Sequence, residues 1–219
     1  MPLFHNRSPR QEEWLPTFVE RCEQFLDRVE EAVETFLLSG QGEAFESSIR
    51  LTRAAEEAAL AARPLLGGRP RPPTTTGLGG HLTGVADATA GMLTAARSLL
   101  YALRCQRVVL PPELSEDFAQ LLDVNLEACR QVLKRLRSQV AHPNLRMLED
   151  QRMDGLAKES DRLAKAIVFR VFGGPSGAEP GDQLMLRDVV LMTDALSERA
   201  RRTADLLDML TPLSSRAGR

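Results

Sequence analysis

Aromatic residues make up only 5% of this 219-residue chain, with one Trp and one Tyr, and β-branched residues are also sparse. That poverty argues against a sheet and for helices, because Leu, Ala, Arg and Glu dominate instead. There is no excess of positive charge either. A formal net charge of −2 gives no general attraction to nucleic acid or anionic lipid. No run approaches the ~18 apolar residues of a membrane span, and the opening MPLFHNRSPRQEEW has no apolar signal-peptide core. The expectation is a cytoplasmic protein. The three cysteines, Cys22, Cys105 and Cys129, are odd in number and widely spaced. They read as buried reduced thiols rather than a disulfide framework.

Catalytic signatures are missing as well. His5, His81 and His142 form neither a Glu-x-x-His nor a His-Glu-x-x-His arrangement. No Gly-x-Ser-x-Gly, P-loop or dinucleotide loop occurs, and Gly77-Leu78-Gly79-Gly80 lacks the Lys-Ser/Thr of a phosphate loop. With no evident nucleophile or base, an enzyme is not expected.

What is present is helical periodicity. Phe18, Cys22, Phe25, Val29, Ala32 or Val33, and Phe36 make an apolar stripe on a first helix predicted over Glu12–Leu38. A second, alanine-rich helix is expected from Gly42 to Leu66. The stretch Gly67–Gly80, GGRPRPPTTTGLGG, reads as a linker. A third helix, His81–Arg107, turns Val85, Thr89, Met92, Ala96, Leu99 and Leu103 inward. Pro111-Pro112 opens a fourth that reaches Ala141, with the stripe Phe118, Leu122, Asn125, Cys129, Val132 and Leu136. A fifth spans Pro143–Phe172. The last, Asp182–Leu210, is capped by Asp182 and carries Val189, Thr193, Leu196, Ala200, Thr203, Leu207 and Leu210 on one side. The predicted fold is all-α: six long antiparallel helices in an up-and-down bundle.

The halves echo one another. Leu51-Thr-Arg-Ala-Ala-Glu56 resembles Leu156-Ala-Lys-Glu-Ser-Asp161, with Glu56 and Asp161 lying 105 positions apart. Asp87-Ala-Thr-Ala-Gly91 resembles Asp194-Ala-Leu-Ser-Glu198, and the first residues of these are 107 apart. A tandem duplication of a three-helix unit accounts for both. The expected division is one domain of two repeats, at 12–107 and 112–211, with disordered ends at 1–11 and 212–219.

The acid-x-x-x-acid element Asp194-Ala-Leu-Ser-Glu198, followed by Ala204-Asp205-Leu206-Leu207, resembles the last helix of the PhoU-related family of phosphate-transport regulators. These proteins accompany Pit-type phosphate permeases. The resemblance runs from about Phe18 to Leu210 and implies a PhoU-like bundle of two three-helix units. In that family, paired carboxylates on helices two, three, five and six are associated with metal clusters on the helix surface. Carboxylates at i and i+4 leave one helix face together, and two adjacent helices can surround a hard or borderline cation.

This chain keeps the full pair only in Asp194/Glu198. Thr52, Gly91 and Ala157 stand where the family has acids, leaving Glu56, Asp87 and Asp161. The implied ligands are Asp194, Glu198 and Asp161 in the second half, with Glu56 and Asp87 in the first. The implied cofactor is a divalent or iron-type metal ion. The bland alternative for Asp194/Glu198 is a solvated face paired with Arg199, Arg201 or Arg202, and Asp150/Asp154 reads the same way. Arg104, Arg107, Arg130, Lys134, Arg135 and Arg137 form a basic face that would be solvated, or would meet anionic lipid or an acidic partner.

The resemblance implies a non-enzymatic, cytoplasmic regulator that docks on a phosphate permease or an associated sensor at the inner membrane surface. Neither nucleic acid nor a transmembrane segment is involved, and a homo-oligomer is compatible with the sequence. The competing reading is an adaptor bundle that binds partner helices without metal.

Overall fold

The computed structural model of the protein describes residues 14–63, 78–141, 149–173 and 179–216. These form α1 (Trp14–Ser39), α2 (Glu43–Ala61), α3 (Leu78–Cys105), α4 (Pro112–Ala141), α5 (Glu149–Gly173) and α6 (Pro180–Arg216), with no strand among the described residues.

The stripes read from the sequence are the buried faces. Phe18, Cys22, Phe25 and Val29 on α1 have no exposure, and neither do Phe118, Asn125, Cys129 and Val132 on α4. A fully buried Phe or Leu contributes roughly 2–3 kcal/mol over an exposed one, so these repeats are what hold the helices together. Buried residues from all six helices join in one core. Within it α3 packs along α6, and α4 meets α1, α5 and α6, while α2 rests mainly on α1. Contacts between α2 and α3 are sparse.

Several boundaries differ from expectation. Helix α6 begins at Pro180, not at an Asp182 cap. A proline whose N–H is not required suits the first helical turn, and Gln183 N–H already bonds the Glu179 carbonyl at 3.0 Å. Asp182 therefore lies inside the first turn. At the far end α6 runs on to Arg216, so residues 212–216 are helical rather than disordered. Pro212 sits in the last two turns, where a missing N–H removes only one ladder bond. Helix α3 starts early, at Leu78, inside the expected linker, and ends at Cys105. Arg107 then adopts a left-handed backbone (φ +48°) that stops the helix. Gly40 (φ +65°) does the same after α1, its N–H bonding the Phe36 carbonyl at 2.8 Å. The expected ends of α2 at Leu66 and start of α5 at Pro143, the remainder of the linker, and residues 1–11 and 217–219 lie outside the described residues.

Cysteine burial also needs correction. Cys22 and Cys129 are buried, and loss of solvation pushes both thiols up to about 12. Cys105 is exposed, because it is the last residue of α3, on the side of Tyr101 rather than of Leu99 and Leu103.

Burial repeats between the halves helix by helix. Phe18, Cys22, Phe25 and Val29 on α1 match Leu121, Asn125, Ala128 and Val132 on α4 at a constant separation of 103. Phe45, Thr52, Glu56 and Ala59 on α2 match Met153, Ser160, Ala164 and Ile167 on α5 at 108. Val85, Thr89, Ala96 and Leu103 on α3 match Val189, Thr193, Ala200 and Leu207 on α6 at 104. The pattern of buried positions thus repeats between the halves, but not in the register of the acidic echo, and the packing differs: α5 lies along α6, whereas α2 barely meets α3. In the burial register Asp161 takes the place of Arg53, and Asp194 that of Ala90.

Candidate functional site

The carboxylates singled out from the sequence fall into different environments. Asp194 is half-buried and accepts a hydrogen bond from Ser160 Oγ at 2.6 Å. Glu198, one turn on, is gripped by Arg201 Nε at 3.0 Å and Arg202 Nε at 2.9 Å. Those two guanidiniums hold its carboxyl below the usual glutamate range. Asp161 is exposed and bonded to Lys165 Nζ at 2.7 Å. On the first half, Asp87 is exposed and pairs with Arg63 at 3.1 Å, whereas Glu56 is buried against Arg97 at 3.4 Å. One Glu56 oxygen, Oε1, has no hydrogen-bond partner among the described residues. No group of three or more His, Cys, Asp or Glu side chains among the described residues is placed to hold a metal ion. The residues therefore do not fit a ready-made cation cage: basic neighbours already occupy Glu198, Asp161 and Asp87.

Around Asp194 the structure assembles something else. Asn125 on α4 donates from Nδ2 to Ser160 Oγ at 2.7 Å and to the Leu121 carbonyl at 2.8 Å. Its Oδ1 accepts the backbone N–H of Ser197 on α6 at 2.8 Å. The ordinary acceptor for that N–H is the Thr193 carbonyl, so the Asn125 amide reaches into the hydrogen-bond ladder of α6. Ser160 passes the chain on to Asp194, and Ser197 Oγ donates to the Asp194 carbonyl at 2.9 Å. Asn125 and Ser160 have no exposure. Shut off from solvent, Ser160 has its hydroxyl proton on the Asp194 carboxylate and accepts from the Asn125 amide. Its chemistry is cohesion, tying α4, α5 and α6 at one level.

The expected basic face is solvated at Arg104, Arg107, Lys134 and Arg137, but several of its arginines are already paired. Arg130 on α4 binds Asp27 and Glu30 on α1, and Arg137 binds Glu23 at 2.7 Å. Arg135, buried, binds Asp208 on α6. These arginines cross-link α4 to α1 and α6. Sequence reading placed Asn125 on a buried stripe without giving it a role. The available signal was an amide standing among Phe118, Leu122, Cys129 and Val132, since a buried amide must find partners.

No protein-family model matches the chain, and no curated protein matches it. Solved structures do. A candidate PhoU-like phosphate regulatory protein of Shewanella oneidensis MR-1 superposes with a TM-score of 0.76 at 13% identity, over 90% of this chain and 97% of that one. A second PhoU-like protein of the same organism gives 0.70 at 13% identity, over 89% and 99%. This is the PhoU-like fold. At such identity the likeness concerns the backbone path, and the side chains at each site belong to this chain alone. Within the PhoU-like frame, the level of Asp194 is where the second half is stitched by polar bonds. The corresponding level of the first half has Cys22, Thr52, Ala90 and Leu93 in place of Asn125, Ser160, Asp194 and Ser197. None of the described helices is long and apolar enough to cross a membrane.

Proposed function

We propose that the protein is a non-enzymatic regulator or accessory protein of phosphate transport, acting at the cytoplasmic side by docking on a permease or an associated sensor. The observation that carries this reading is the PhoU-like fold, which extends over nearly the whole chain and its neighbours, one of them a candidate phosphate regulatory protein. The test is phosphate uptake in cells lacking the gene and in cells carrying it back on a plasmid. Altered uptake that the plasmid restores is expected. Unchanged uptake under both phosphate-rich and phosphate-poor growth would sink the proposal.

A second reading, an adaptor bundle acting without metal, is favoured by the ion pairs that occupy the carboxylates. A cation at Asp161, Asp194 and Glu198 would have to displace Lys165, Ser160, Arg201 and Arg202. The expected elemental analysis, on protein purified without chelators or an affinity metal, is well below one metal per chain, unaltered in an Asp194→Ala/Glu198→Ala variant. Near-stoichiometric metal that the double variant loses would place a metal-responsive site in the second half.

A further inference from the structure

The loose seam between α2 and α3 opens a cleft of about 320 Å³ whose lining includes Ile49, Leu100 and Tyr101 together with Arg53, Arg97, Arg104 and the Glu57 carboxylate. Each guanidinium is fastened to one glutamate through a single nitrogen: Arg53 Nε to Glu57 at 3.0 Å, Arg104 Nε to Glu46 at 2.8 Å, and Arg97 Nη1 to Glu56 at 3.4 Å. A guanidinium has five N–H donors. The terminal nitrogens of Arg53 and Arg104 therefore stay available, and the Arg97 contact is longer than the 2.7–2.9 Å of a firm charged hydrogen bond. The glutamates steady the side chains without using up their donors.

The burial register supplies an independent reason to single out this cleft. At the matching places of the second half stand Asp161 for Arg53, Asp205 for Tyr101 and Asp208 for Arg104, while Arg201 stands for Arg97. Arg53, Arg104 and the Tyr101 ring therefore distinguish this seam, and the cation at Arg97 recurs in the other half.

We propose that the α2–α3 cleft binds a mononucleotide, with phosphate oxygens on Arg53, Arg97 and Arg104 and the base against Tyr101. Planar guanidiniums match phosphate oxygens in pairs. The Tyr101 ring is 65% exposed and offers a face on which a base stacks with little regard to its identity. Ile49 and Leu100 in the lining, and a volume within the range of small-ligand sites, fit a nucleotide better than a bare anion. The proposal does not rest on a role in phosphate transport.

Calorimetric titration of the full chain with ADP, inorganic phosphate and adenosine tests it, alongside Arg104→Gln and Tyr101→Ala, which replace partly exposed side chains. One ADP per chain is expected, weakened on the order of tenfold by either substitution, with phosphate and adenosine each binding more weakly. Inorganic phosphate binding as well as ADP, with Tyr101→Ala silent, would make this a simple anion site and overturn the nucleotide assignment. Absence of ADP binding, or binding untouched by both variants, would overturn the site itself. Altered phosphate uptake in the deletion strain together with no ADP binding would separate failure of this proposal from failure of the regulator reading.

Discussion

Replacing Asn125 with leucine is expected to lower the unfolding free energy by about 3 kcal/mol, although it makes the α4 stripe uniformly apolar. The volumes are similar, so the loss is not a cavity effect. It arises because the Asn125 amide serves Ser160, Ser197 and the Leu121 carbonyl at once. After substitution the Ser197 N–H loses its acceptor inside the core, at roughly 1–3 kcal/mol for a buried group left unsatisfied, and the Ser160 hydroxyl, still donating to Asp194, loses the amide that donated to it. Urea unfolding with an unchanged slope would register this as a lower midpoint. Hydrogen exchange should also accelerate at Ser197 more than at Leu207, since the Ser197 amide loses its specific acceptor. A stability within about 0.5 kcal/mol of the native chain would mean that the polar chain is incidental to holding α4, α5 and α6 together.

The reach of the sequence follows from what each helix makes periodic. Helices α1, α3, α4 and α6 carry large apolar side chains at alternating gaps of three and four, which fixes their inward faces; every described residue on those stripes is buried. Helix α2 is different. Its alanines are apolar in nearly every direction, so the pattern does not choose a face, and only the family resemblance implied a surface position for Glu56. The structure turns the helix so that Thr52, Glu56 and Ala59 face inward, while Leu51 is 53% exposed. Comparing acids across the halves gave separations of 105 and 107, but packing sets 108 for α2 with α5 and 104 for α3 with α6. A shift of three residues on a helix is close to one turn. It therefore leaves a plausible echo of residue types while moving each acid into a different environment. Charge was less legible still. The arginines of α4 looked like an exposed basic face because their partners, Glu23, Asp27, Glu30 and Asp208, lie on helices remote in sequence.

The same rotation of α2 yields the other large expected effect, which is opposite in sign. Glu56 is a carboxylate with 3% of its side chain exposed, one long contact to Arg97 and an oxygen without a partner among the described residues. Removing a charge from water costs several kcal/mol, and a single 3.4 Å contact to a half-exposed arginine returns only part of it. Glu56→Met keeps most of the volume and removes the charge, so it should raise the unfolding free energy by about 1–2 kcal/mol. Arg97→Ala in the native background should lower it by about 2 kcal/mol, less than for a fully buried pair because Arg97 is 54% exposed. In the Glu56→Met background the same Arg97→Ala change should cost under about 0.5 kcal/mol, because no buried charge remains to be abandoned. Denaturant unfolding of the four proteins gives the cycle directly. If Glu56→Met destabilised the chain instead, the carboxylate would be making an interaction stronger than its Arg97 contact. Glu56 would then return to the candidate ligands of the first half.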